Sequence, residues 1–274
     1  KSRRCISTFD GKAGGRKMIR KIFWQLMRKD LRQFRRVYPG KFFDTCFLFF
    51  TSVMVFGYFM PQLGVSTNYG PFILVGAIAS FGLFDIIAHV GELIFDIEGD
   101  RTINFKLSMP VPYWVVFGQL AIKWAFTNLL ICTPLFLVGK VIMWENFDLS
   151  KINLLQLILI LPTAYLFFGF FSLWLTGMIK KPLNLSSLFL RFINPLFMFG
   201  GYFFTWQDSF KLAPAIGYAI LIDPMIYVME GMRAACLGQE GYLPFWNCFF
   251  ALWGFILVLG SHAILSLKKR LDCV

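Results

Sequence analysis

Six stretches of this chain, at 42–60, 71–95, 113–139, 153–178, 185–204 and 246–266, are apolar runs of membrane-crossing length. A helix needs about 20 apolar residues, each rising about 1.5 Å, to cross the hydrocarbon core of a bilayer. No soluble fold of 274 residues with 57% hydrophobic and 15% charged side chains could hide that much apolar surface. The fold class expected is an all-α integral membrane protein with six transmembrane helices.

The net charge of +12 does not point to nucleic acid. The basic residues gather ahead of the first apolar run, from Arg3, Arg4 and Lys12 through Arg16, Lys17, Arg20, Lys21, Arg28, Lys29, Arg32, Arg35 and Arg36 to Lys41. Such a segment belongs on the cytoplasmic side, against anionic lipid. With the N-terminus inside, Arg101, Lys106, Lys180, Lys181, Lys268, Lys269 and Arg270 also fall inside, and only Lys140, Lys151, Lys211 and Arg233 fall outside. An even number of spans then puts both termini in the cytoplasm. The partner implied is membrane lipid.

Three segments need more than simple spans. Residues 1–15 are polar and Gly-rich and read as a mobile basic tail. Over 16–38, Phe23, Leu26 and their apolar neighbours take one side of a helical wheel, and Arg28 and Arg32 take the other. That pattern predicts an amphipathic helix in the membrane interface, ahead of a transmembrane domain at 39–274. In the loop at 96–112, Ile103, Leu107 and Val111 recur at helical spacing and predict a short surface helix, of a kind that can dock in a partner's groove. The stretch 205–245 is too apolar for a free loop, and Pro214, Gly217 and Pro224 interrupt it. It predicts short re-entrant helices on the outer side.

Catalytic, cofactor-binding and metal-ligating constellations are not expected here. GKAGGRK at 11–17 lacks the spacing of a nucleotide-binding loop, and His89 and His262 are the only histidines. Cys5, Cys46, Cys132, Cys236, Cys248 and Cys273 show no CxxC pairing and read as small hydrophobes. One stripe stands out: Asp85, His89, Glu92 and Asp96 share a face of the second apolar helix. Ionisable side chains at membrane depth suggest a proton relay or a metal site. The plainer reading is a helix leaving the membrane with its polar face toward water or a partner. Lys123 and Arg191 are candidate counter-charges for the stripe. So are Glu230 and Arg233 for each other, one helical turn apart.

The order of these features resembles the permease subunits of type-2 ABC exporters, the ABC-2 family. Two stretches carry the likeness: EGDRTINFKLSMPVPYWVVFGQLAIK at 98–123 and the segment at 194–238. The resemblance implies that Glu98, Asp100, Arg101, Thr102, Leu107 and Pro110 belong to a coupling helix at about 98–111. It implies likewise that Pro224, Tyr227, Glu230, Arg233 and Gly238 form the outer re-entrant motif. Asp223 stands where Asn is usual, and the first span lacks the pattern of the polysaccharide branch. The likeness therefore leans toward export of drugs, lipids or lipo-oligosaccharides. ATP and Mg would be held by a separate ABC ATPase subunit, and a second permease copy, in a homodimer, would complete the path. A competing class is a stand-alone secondary transporter, or a proton- or metal-linked membrane protein using Asp85, His89 and Glu92.

Overall fold

The computed structural model describes residues 13–64, 69–144, 147–179 and 185–272. Residues 1–12 of the expected tail, the basic turn at Lys180, Lys181 and Pro182, and Cys5 and Cys273 lie outside them. Among the described residues the chain is all helix, without a strand. Five helices are long and apolar enough to cross a membrane: α1 (Ala13–Met54), α2 (Tyr69–Glu98), a composite of α4 (Tyr113–Cys132) and α5 (Leu135–Ile142), α6 (Leu154–Met178), and a long final helix. The short α3 (Thr102–Leu107) links α2 to α4. After α6 come α7 (Leu185–Phe199), α8 (Trp206–Leu212), α9 (Pro214–Ile220), α10 (Pro224–Leu237) and α11 (Phe245–Asp272).

The amphipathic segment and the first apolar run form one helix of 42 residues, continuous through Pro39. Its length is about 63 Å, twice the hydrocarbon thickness. The apolar stripe expected in the membrane interface lies against α4. Leu26 and Met27 are buried, and Phe23 sits beside Trp114 and Gly118. Arg28 and Arg32 face away and are exposed. Beyond Met54 the helix widens into a π turn at Val55–Phe59.

The apolar run at 185–204 yields a helix of only Leu185–Phe199 in its described part, about 22 Å long. It contains a second π turn, Phe189–Ile193, and stops at Gly200 and Gly201. Gly201 has φ +82°, a left-handed conformation that a side chain would strain. The interrupted segment folds as α8, α9 and α10, with α9 and α10 bent by 94°. Asp223 ends one and caps the next, accepting the Met225 N–H at 2.8 Å, and Pro224 occupies the first helical turn, where a missing N–H costs nothing.

α2 and α6 are the centre of the bundle. In lipid, helices associate by close packing and by polar contacts more than by dehydration. Gly169 of α6 lets the backbones touch: a Cβ built there would lie 2.5 Å from the Ala121 carbonyl oxygen on α4. Tyr165, fully buried, donates to the Ile78 carbonyl of α2 at 2.8 Å. The main core runs through α2, α6, α10 and α11. A second cluster sits at the α3 end of the bundle, where Ile103 joins Leu93, Ile97, Phe117, Trp124 and Leu267.

Candidate functional site

At 30 residues, α2 is about 45 Å long against a hydrocarbon core of about 30 Å. The surplus is about ten residues, enough to place its acidic last turns at headgroup depth. These turns carry His89, Glu92 and Asp96, with Asp85 one turn further in, and the structure divides the stripe into three jobs. Asp85 and His89 meet: His89 Nε2 lies 3.0 Å from Asp85 Oδ2, and Lys41 of α1 reaches Asp85 Oδ1 at 3.5 Å. Glu92 turns to α4, accepting from Lys123 Nζ at 2.7 Å and from Trp124 Nε1 at 3.1 Å. The Trp124 ring stacks on His89 at 4.7 Å between centroids. The result is a polar chain, Lys41–Asp85–His89–Trp124–Glu92–Lys123, tying α1, α2 and α4 together.

Asp96 leaves the stripe for a different task. Its Oδ1 accepts from the Thr102 N–H at 2.9 Å and from the Thr102 hydroxyl, and its Oδ2 accepts from the Ile103 N–H at 2.8 Å. A carboxylate at the start of a helix satisfies donors that have no partner inside it. Arg101, the residue just before α3, has φ +52° and ψ +30°, so the chain turns back on itself through a left-handed residue other than glycine. α3 is therefore pinned to the end of α2 by a side chain six positions before its first residue.

The candidate docking residues take unequal places. Glu98, Asp100, Arg101, Thr102 and Pro110 are exposed. Leu107 is half-buried and packs on the second cluster, because Ile103 and Leu107 share the face that α3 turns to its own core. The apolar side chain α3 shows to the outside is Phe105, 69% exposed. Sequence spacing missed it, since a six-residue helix fixes its phase by one buried residue, here Ile103.

A cavity of about 500 Å³ opens between α1, α2, α3 and α4. His89 lines it, is 4% exposed, and its Nδ1 has no hydrogen-bond partner among the described residues. Beneath it, Gln119 of α4 donates to Asp30 of α1 at 2.8 Å. Among the described residues no group of three or more His, Cys, Asp or Glu side chains could hold a metal ion.

At the opposite end, Glu230 and Arg233 are wholly buried and do not form the ion pair their spacing suggested. Glu230 accepts the Trp206 N–H at 3.2 Å and the Leu243 N–H at 2.9 Å. Arg233 donates to the Phe72 carbonyl at 3.4 Å, to Gly201 at 2.5 Å and to Tyr202 at 2.8 Å, with its guanidinium carbon 3.4 Å from the centre of the Phe72 ring. Arg233 was expected among the outer loop charges. It is an internal clamp instead, because three carbonyls replace the water it would otherwise need. Tyr227 donates to the Leu221 carbonyl at 2.9 Å across the α9–α10 bend, Pro224 is buried, and Gly238 ends α10 with φ +107°. Lys123 does pair with the stripe, whereas Arg191 is exposed and forms no ion pair with it. A comparison of the chain with protein-family models and with curated proteins finds no match.

Proposed function

We propose that this chain is the membrane-spanning permease subunit of an ATP-driven exporter of the ABC-2 type. In this reading the protein sits in a bacterial inner membrane with both termini in the cytoplasm. α7 and the α9–α10 bend complete six spans and an outer re-entrant element. Two copies enclose a path for a lipid-like, drug-like or oligosaccharide-bearing substrate, and a separate ABC ATPase holds ATP and Mg. This chain supplies two conformations of different affinity, and the partner's nucleotide cycle biases them.

The observation that carries the reading is α3. It is a short helix at one end of the bundle, locked to α2 by Asp96 and to the core by Ile103, with Phe105 bare on its outer side. Such a helix passes a push on its outer face straight to the central helix α2. Exposed Glu98 and Arg101 precede it closely in the chain, and charged groups beside an aromatic anchor are the usual anatomy of a docking spot.

The test is ATPase activity of the complex purified with a candidate ATPase subunit. Wild type is compared with Phe105→Asp and Glu98→Arg, and Leu107→Asp serves as a folding control. Phe105→Asp should leave the permease folded and reduce ATPase association at least tenfold, as expected for loss of an interface anchor worth about 2 kcal/mol. Absence of any associated ATPase, or indifference to both outer-face changes, removes the reading.

A second reading rests on the Lys41–Asp85–His89 contact and the unpartnered Nδ1 of the cavity-lining His89: a stand-alone proton-linked transporter. Proton flux into liposomes containing this chain alone, abolished by His89→Asn, would favour it. Tight liposomes would exclude it.

A further inference from the structure

The cavity between α1 and α2–α3–α4 holds a surplus of unengaged charge of both signs. Its cations are Lys29 and Lys41 from α1, Lys106 from α3 and Lys123 from α4. Its carboxylates are Asp30, Glu92, Asp96 and Asp100. Most of these are committed: Lys41 to Asp85, Lys123 to Glu92, Asp30 to Gln119, and Asp96 to the start of α3. The side chains of Lys29, Lys106 and Asp100 make no ion pair or hydrogen bond among the described residues, and the buried His89 Nδ1 lacks a partner too. Two ammonium groups and one carboxylate are thus left lining one space, together with the buried His89 ring.

We infer that this cavity binds the headgroup of an aminophospholipid. The phosphate diester lies between Lys29 and Lys106, and the primary ammonium lies at Asp100. Three features argue for this occupant. The free charges are of both signs, as in a zwitterionic headgroup, where a purely anionic headgroup would leave Asp100 without a counter-charge. The cavity is lined by the last turns of α2, from His89 to Asp96, where the length of that helix in excess of a hydrocarbon core of about 30 Å would carry it to the headgroups. Phe34, Val37 and Phe95 share the same lining, and Phe95 is 60% exposed, so an apolar flank is available to the glycerol and acyl chains. Basic pockets between membrane helices are general sites for lipid phosphates. What distinguishes this one is the carboxylate that demands a hydrogen-bonding amine, since a choline headgroup has no N–H to give. The inference does not depend on an ATPase partner.

The experiment is native mass spectrometry of the full chain extracted from nanodiscs of phosphatidylethanolamine, phosphatidylcholine or phosphatidylglycerol. Wild type should retain one tightly held phosphatidylethanolamine, displaced neither by phosphatidylcholine nor by phosphatidylglycerol. The double change Lys29→Gln, Lys106→Gln should weaken retention about tenfold or more, the loss expected when charge-assisted hydrogen bonds are removed. Asp100→Asn should leave phosphate binding and erase the preference for phosphatidylethanolamine over phosphatidylcholine. These side chains make no hydrogen bond or ion pair among the described residues, so thermal stability in detergent should move little. Equal retention of the three lipids by wild type overturns the proposal without any variant. Displacement of the bound lipid by millimolar free glycerophosphoethanolamine also overturns it, because the site would then read a soluble headgroup and not a lipid.

Discussion

Arg233 has no solvent contact and, among the described residues, no ion pair, yet keeps its charge satisfied through three main-chain carbonyls. Removing the guanidinium strands those acceptors in a site without water, at about 1.5–3 kcal/mol for each charged hydrogen bond lost. Arg233→Met is therefore expected to lower the midpoint of thermal unfolding in detergent sharply, followed by size-exclusion fluorescence. Arg233→Lys should recover only part of the loss, because an ammonium cannot reach all three carbonyls in the plane of a guanidinium. Gly76 tests the same contact from the other side: a Cβ there would lie 2.9 Å from Arg233 Nη2, so Gly76→Ala should displace the pinned side chain and destabilise by about 1–3 kcal/mol. The i, i+3 spacing of Glu230 and Arg233 was legible in the sequence, and it pointed at the wrong partners. Their true partners lie up to 161 positions away, a separation no local pattern encodes.

Among the elements, α3 depends on a residue outside itself. Asp96→Ala should cost about 0.5–2 kcal/mol, the usual worth of a helix cap. Hydrogen exchange over 102–107 should speed up while the amides of α2 stay protected; unchanged exchange would show that Ile103 alone holds α3. The approach of α4 and α6 offers a stricter case. The atom nearest a Cβ at Gly169 is a backbone oxygen, which cannot swing aside, so Gly169→Ala should loosen this pair and lower stability by about 1–3 kcal/mol. Long apolar runs were the legible part of the fold: those beginning at 71, 113 and 246 lie within membrane-length helices, and the one beginning at 153 does so after its first residue, Asn153, which caps the helix. Hydropathy reads them because lipid removes the polar face that makes soluble helices ambiguous. It could not read where α7 stops, since the apolar run continues past the glycine turn. Nor could it read the passage of α1 through Pro39, where composition suggested a boundary and tertiary support from α4 kept the helix intact.

At the scale of the molecule, the two ends of the bundle differ in kind. The α3 end carries an open, charged cavity, and the opposite end carries a closed clamp. A sidedness test follows. Ser108→Cys, exposed just after α3, and Glu240→Cys, exposed between α10 and α11, should react with a membrane-impermeant maleimide from opposite faces of the bilayer. Labelling of both from one face would break the expected topology. The charge imbalance along the sequence made two unlike ends foreseeable. The cavity was not foreseeable, because it needs Lys29, His89, Lys106 and Lys123 from four separate helices to face one space. The clamp has a consequence of its own. Five backbone groups at that end, from Phe72, Gly201, Tyr202, Trp206 and Leu243, take their hydrogen bonds from one carboxylate and one guanidinium. These side chains act as a built-in solvent, so a thicker bilayer rising over the end would strip no hydration from those groups.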